Sequence, residues 1–418
     1  MASEYAGIDS ASTEKAIAPW LSIVGIGENG LAGLGQDARQ AIETAEFVFG
    51  GKRHLALAED AIKGQARPWP VPFDVEMADV VALRGREVCV LASGDPFFYG
   101  VGVTLLRQVP AEETVSYPAP SAFSLAASRL GWALQDVECV SLHGRSIDLI
   151  RPHLHPGAKL IVLTSDEKAP ALLASLVSEA GFGASNFSLL EALGGPRKKV
   201  QTGKAAKFSL SDVDPLNVVA INVMANEKAR IIPYSQGLDD ALFEHDGQMT
   251  KREIRAVTLS SLGPRHGELL WDIGAGSGSI GIEWMLAHPS LRAIGIEQHP
   301  ERAERAMRNA EAFGVPGLEI VIGTAPGAFE GLPTPDAIFI GGGGSEAGVL
   351  DGAIKALKPG GRLVANAVTL EMEATLLAAQ SRLGGSLIRL EVARASAVGS
   401  MQGWRAAMPV TQWAWVKP

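Results

Sequence analysis

The stretch "WDIGAGSGSIGIEW" (residues 271–284) decides the architecture of the second half of the chain. An apolar run, "ELLWDI", ends in a turn carrying Gly274, Ala275, Gly276, Ser277 and Gly278, and an apolar helix-like segment follows. This is a strand, a tight turn and a helix. Glycines at such a turn permit left-handed backbone and let a ligand lie against bare main chain. The next apolar run, "RAIGIE", ends in Glu297, 25 residues beyond Asp272 (297 − 272). A carboxylate at that strand end can accept both hydroxyls of a ribose. Two ligands suit the pattern. A dinucleotide would set its pyrophosphate at the helix N-terminus. S-adenosylmethionine would lay a cationic methionine tail over the loop, with no phosphate to bind. The pattern favours the second.

A similar loop, "LSIVGIGENG" (residues 21–30), stands near the start of the chain. With 418 residues the chain exceeds one ordinary core, so two domains are expected. A composition of 47% hydrophobic and 20% charged residues is that of a globular protein. The net charge of −9 argues against nucleic acid held by general electrostatics. An anionic substrate would need a local basic pocket. Cys89 and Cys139, the two cysteines, sit in apolar stretches without His or Cys partners at ligand spacing; they read as core residues, and no metal is expected. That cysteine usage fits a reducing cytoplasm, and with no apolar run of spanning length no membrane partner is expected. Residues 1–19 lack the basic start and apolar core of a signal peptide and read as a flexible tail.

Short apolar runs alternate with amphipathic ones throughout. "LSIVGIG", "VCVLASG", "KLIVLTS" and "NVVAINV" read as strands in the first half; "RAIGIEQ", "LEIVIGT", "DAIFIGG" and "GRLVANA" do so in the second. Alternation of this kind predicts an α/β protein of parallel sheets with helices on their faces. The pattern breaks over 224–248, which is polar, contains Pro233 and Gly237, and reads as an exposed linker. The domains are therefore placed at 20–228 and 229–418.

More motifs lie in the second half. "VIGTAP" (321–326) would set Thr324 and Ala325 beside an adenine, and "FIGGGG" ends a fourth strand where Gly341 to Gly344 would leave room for a broad, flat substrate. Together, "MTKREIRA" (249–256), "LLWDIGAGSGSIGIEW", "VIGTAP", "DAIFIGGGG" and "NAVTLE" (366–371) resemble the decarboxylating precorrin methyltransferases of cobalamin biosynthesis. The resemblance covers 235–400 and implies a Rossmann-like class I methyltransferase domain. It also implies donor contacts at Thr250, Gly274 to Gly278, Glu297 and Ala325.

In the first half, "VLASGDPFFYG" (90–100) places Ser93, Gly94, Asp95 and Pro96 in a tight turn after a strand. "PAPSAFSLAASRLGW" (118–132), "SLHGR" (141–145), "IVLTSDEKAPALLASLV" (161–177) and "EALGGPRKKVQTG" (191–203) follow at the spacing of the tetrapyrrole methylases, which this half resembles. The resemblance implies two α/β subdomains and a methyl-donor site at Gly25, Gly27, Ser93, Gly94, Asp95, Ser121 and Ala122. Many members have "GxGPG" in the first loop; this chain has "GIGEN", with Glu28 and Asn29. The donor site is therefore placed mainly on Gly94, Asp95, Ser121 and Ala122.

The two resemblances imply two S-adenosylmethionine sites of unrelated folds in one chain, acting on a precorrin-6 ring. They imply methylation at carbons 5 and 15 and loss of carbon dioxide from the acetate at carbon 12. A homo-oligomer is expected. Substrate carboxylates call for local cations, for which Arg252, Arg255 and Arg394, with Lys251, are candidates; a solvated helix face is the alternative for 251–255. Glu283 reads equally as an acid or base and as a structural partner of the donor loop. A small-molecule or RNA methyltransferase remains a rival reading of the second half, and a donor-binding sensor with one dead site a rival for the first.

Overall fold

The structure, a computed structural model, describes residues 18–208 and 212–418; all but the end of the expected N-terminal tail lies outside them. The chain forms two compact units. One runs to Gly144 and includes Pro156–Glu227; the other joins Arg145–His155 to Lys228–Pro418.

In the first unit, Leu21–Ile26 is an inner strand of a five-stranded sheet, hydrogen-bonded on one side to Val88–Ser93 and on the other to Thr114–Tyr117, all parallel. The run is buried at five of its six positions, as a strand covered on both faces must be. A second five-stranded sheet departs from the expected parallel order. Asn217–Asn222 lies antiparallel to both Lys159–Leu163 and Asn186–Glu191, and Lys199–Lys204 adds a further antiparallel edge. The link from Glu191 to Lys199 is too short for a helical crossover, so it closes a hairpin instead.

The second unit carries a seven-stranded sheet. Counted along the chain, its strands stand in the spatial order 3-2-1-4-5-7-6. The first five are parallel, and Val410–Val416, the seventh, is antiparallel to both neighbours. Leu269–Ile273 is central and wholly buried. The order reverses beside it, so the crevice for a ligand opens at its carboxyl end. Helix Pro300–Ala312 buries Ala303, Ala306, Asn309 and Ala310, one face of a 3.6-residue period, and begins on a proline that needs no amide partner there.

The stretch read as an exposed linker is different in kind. Ile232, Leu238 and Phe243 are buried in the core of the second unit. Their spacing has no helical or strand period because the segment is an irregular strap. Among the described residues, no helix is long and apolar enough to cross a membrane. Cys89 is fully buried, and burial pushes its thiol up to about 12, well away from reactivity.

Candidate active site

In the second unit a cavity of about 750 Å³ opens at the carboxyl ends of the parallel strands. That is within the roughly 300–1,000 Å³ of small-molecule sites. Its floor is the loop after Leu269–Ile273. Gly274 and Gly276 have φ of +77° and +58°, a region costly for any side chain. A Cβ on Gly274 would stand 2.9 Å from the amide nitrogen of Gly342, so the two glycine loops cross backbone to backbone. A Cβ on Gly276 would meet only the carbonyl of Gln248 at 3.7 Å and that of Gly274 at 3.9 Å, in the open cradle itself. Gly278 serves otherwise. It is not in the cavity wall, and a Cβ there would press on Ala306 at 3.1 Å and Leu318 at 3.3 Å. The expected ligand contact at Gly278 is replaced by close packing of the helix that begins at Ser279.

Glu297 is buried in the wall. Its Oε2 accepts from the amide of Gly276 at 2.8 Å and its Oε1 from that of His299 at 3.0 Å. It therefore fixes the glycine loop, and each oxygen keeps a lone pair for a ligand hydroxyl. Asp272, at the same end of the sheet, is fully buried and accepts one amide bond, from Gly281 at 3.1 Å. Burial, opposed by that bond and aided by the charge of Glu297, pushes its carboxyl up to about 7. The Ser277 hydroxyl is buried in the wall with no hydrogen-bond partner among the described residues. A bare cradle, an acidic strand end and an orphaned hydroxyl fit an adenosine bearing a cationic amino-acid tail.

Thr250, Thr324 and Ala325 join this wall, as do Gly341 to Gly343. A Cβ on Gly342 would meet nothing within 4 Å, so that side of the loop is open. Gly344 differs: a Cβ there would strike Met372 and Ile340, so only part of the glycine run leaves room for a ligand.

The cationic candidates separate. Arg255 is fully buried. It bonds Glu283, the carbonyls of Leu238 and Thr250, and Asp240 at 3.1 Å. Glu283 in turn accepts from the amides of Gly237 at 2.7 Å and Leu238 at 3.0 Å. The expectation that Arg255 and Glu283 meet substrate therefore gives way to a buried ion pair that ties the strap 237–240 to the domain. Arg252 is exposed at the start of its helix and lies outside the cavity wall. Arg394 does reach the wall, from a two-stranded hairpin (Ala393–Val398 with Met401–Ala406), and pairs with Glu253. Lys251 also lines the cavity. So does Arg302, which sequence reasoning missed; it bonds Asp246 and Gln248 at 2.8 Å each. Its position on the first turn of the helix after Glu297 was the available signal.

In the first unit three backbone segments converge. A Cβ on Gly25 would lie 1.8 Å from the Gly94 carbonyl and 2.8 Å from the Ala119 amide. Gly94 has φ +56°, and its own Cβ would meet the Pro120 carbonyl at 2.9 Å. Gly25 is thus bare because another strand end seals it, and no ligand can reach that face. The Gly27 position is closed by Asn29, whose Oδ1 would be 2.9 Å from a Cβ. Asp95 Oδ1 accepts from the Phe97 amide at 2.8 Å and shapes the turn. Ser121 caps helix Ala122–Leu130 by accepting from Ser124 at 3.1 Å.

The second unit has the sheet order and strand-end cradle of class I methyltransferases, and the first has the paired sheets of a tetrapyrrole methylase. Comparison with known proteins agrees. Residues 241–417 match the family of precorrin methyltransferase domains, and residues 21–209 match the tetrapyrrole (corrin/porphyrin) methylases. A precorrin-6Y C(5,15)-methyltransferase [decarboxylating] of a Sinorhizobium species is 62% identical over 98% of this chain and 99% of its own. One from Mycobacterium tuberculosis is 40% identical over 94% and 99%. The solved C-terminal domain of precorrin-6Y C5,15-methyltransferase from Rhodobacter capsulatus is 48% identical, covering 44% of this chain and all of that one, with a TM-score of 0.43. The chain belongs to the family of decarboxylating precorrin-6Y C(5,15)-methyltransferases.

Proposed function

We propose that each unit binds its own S-adenosylmethionine, that the second methylates carbon 15 of a precorrin-6 ring and decarboxylates its acetate, and that the first methylates carbon 5. The observation that carries this is the second unit's cavity, which joins the bare Gly274–Gly276 cradle to a wider space under Gly342, Lys251 and Arg394. The donor supplies an electrophilic sulfonium methyl and needs no metal.

The chain's residues align and desolvate. Glu297 holds the loop that sets the donor's depth and offers free lone pairs to its ribose. Lys251, Arg302 and Arg394 supply the positive charge that a ring bearing several carboxylates requires where the chain as a whole is acidic. Holding sulfur, methyl and ring carbon in line can contribute roughly 7–11 kcal/mol in favourable cases. In methylation the enamine-like ring carbon supplies the pair for the new bond to the methyl, the sulfur–methyl bond breaks with its pair kept by the departing thioether, and the ring is left as an iminium-like π system. On decarboxylation the carbon–carbon bond to the carboxylate breaks, its pair enters that π system, and the acetate carbon later takes a proton. Decarboxylation thus belongs beside the methylation that creates its electron sink. Two unpaired cysteines fit a cytoplasmic enzyme.

Product mass spectrometry tests the division. The intact protein should add two methyls and release one carbon dioxide. Gly276→Val should lose one methyl together with the carbon dioxide, and Asp95→Ala should lose one methyl alone. Carbon dioxide release that follows Asp95 would sink the assignment.

A further inference from the structure

The departure "GIGEN" in the first loop has a structural partner set. The Glu28 side chain is only 8% exposed and takes two guanidiniums, Arg53 on Oε1 and Arg197 on Oε2, the latter at 3.1 Å. The two arginines come from different places: Arg53 from helix Lys52–Leu57 beside the parallel sheet, and Arg197 from the hairpin link of the antiparallel sheet. That link sits on the loop itself, since a Cβ on Gly195 would be 2.7 Å from the Cβ of Glu28.

We infer that Arg53 and Arg197 form a receptor for a ligand carboxylate at the Ser93–Asp95 turn, with Glu28 as the residue that positions them. The inference rests on the reading of the first unit as a methyltransferase. Arg197 divides its charge between Glu28 and Asp214. Arg53 shares Glu28 with Arg197, and its other partners are His54 and Ser93. Its Nη2 donates to Ser93 Oγ at 2.8 Å and lies 2.8 Å from His54 Nε2. A guanidinium cannot accept a hydrogen bond, so His54 Nε2 is the acceptor and its ring is neutral. Burial, and next the charge of Arg53, hold His54 down to about 4. The two arginines are balanced by Glu28 and Asp214, so what Arg53 offers a ligand is the guanidinium N–H groups that Glu28, Ser93 and His54 leave unused, on a side chain that remains 35% exposed. It stands at the carboxyl end of Val88–Ser93, beside the left-handed Gly94, where parallel sheets take ligands. A planar fork of donors suits a carboxylate. Two sources offer one: an acid side chain of the tetrapyrrole, or the α-carboxylate of the donor's methionine tail.

The test uses the full chain with Arg53→Gln, Arg53→Lys and Glu28→Gln. It measures the KM for reduced precorrin-6 of the methylation that survives Gly276→Val, and the Kd for S-adenosylmethionine at the first unit. Arg53→Gln should raise one of these by about tenfold or more, the scale of a lost charged hydrogen bond. A shift in KM names the ring as the source; a shift in Kd names the donor. Arg53→Lys should recover part of the loss, and Glu28→Gln should move the same constant less far, with unfolding midpoints unchanged. An Arg53→Gln protein that folds normally with both constants within about twofold of wild type overturns the receptor. So does a loss confined to kcat. Failure of the unsubstituted protein to add the first unit's methyl would instead strike the reading beneath it.

Discussion

The glycine loop at 25–27 and the one at 274–278 have nearly the same signature and do different work. In the second unit Gly276 faces open space, and a neighbouring carboxylate holds its amide. In the first unit Gly25 is pressed by the Gly94 carbonyl, and Asn29 fills the space over Gly27. One loop is bare and opens onto a cavity; the other is bare so that the protein's own backbone can approach. A glycine in a strand-to-helix turn thus reports close approach, and only the neighbours say by what.

The largest expected effect tests the open loop. Gly276→Val puts a branched side chain at φ +58° and into the cradle, so donor affinity at the second unit should fall by about 3 kcal/mol or more while the fold survives. Calorimetric titration checks this; undiminished affinity would make the two loops alike. Next comes the carboxylate that holds the loop. Glu297→Ala should weaken the same binding by about 1.5–3 kcal/mol and leave the first unit's methylation intact. A variant that only unfolds more easily would make Glu297 structural.

The sealed loop predicts the opposite signature. Gly25→Ala drives a methyl into the Gly94 carbonyl, so chemical denaturation should show the first unit destabilised by about 1–3 kcal/mol. Stability equal to wild type with donor binding lost would reverse the contrast. The smallest effect expected on binding is one of pH. Asp272 has a folded-state value of about 7 against an ordinary 3.8. Its contribution to stability is full below the ordinary value and is lost as pH rises through 7. The ionised form is the better partner for a cationic donor, so donor affinity at the second unit should rise by a few-fold, about 1 kcal/mol, as pH passes 7. Asp272→Asn should flatten both profiles, and an unaltered slope would remove Asp272 from the linkage.

Much of this was legible in the sequence because it is local. A buried parallel strand must be a continuous apolar run, and a tight turn after it must be glycine-rich, so "LLWDIGAG" announces itself. The acidic strand end at Glu297 follows at a fixed interval for the same reason. The edge strand Lys199–Lys204 is not legible in the sequence because its burial is partial and its apolar signal weak.

Two α/β units, their order along the chain and the positions of the glycine-rich strand-end turns follow from the sequence, because periodicity and turn chemistry act within a few residues. Tertiary structure alone decided which charged groups face a ligand. Arg255 and Arg394 look equivalent along the chain, yet one is sealed beneath the strap against Glu283 and the other reaches the cavity on a hairpin. It also decided that Glu28 should gather two arginines, Arg53 and Arg197, 25 and 169 residues away. Burial and long-range pairing depend on which distant segments pack together, and no local pattern encodes that.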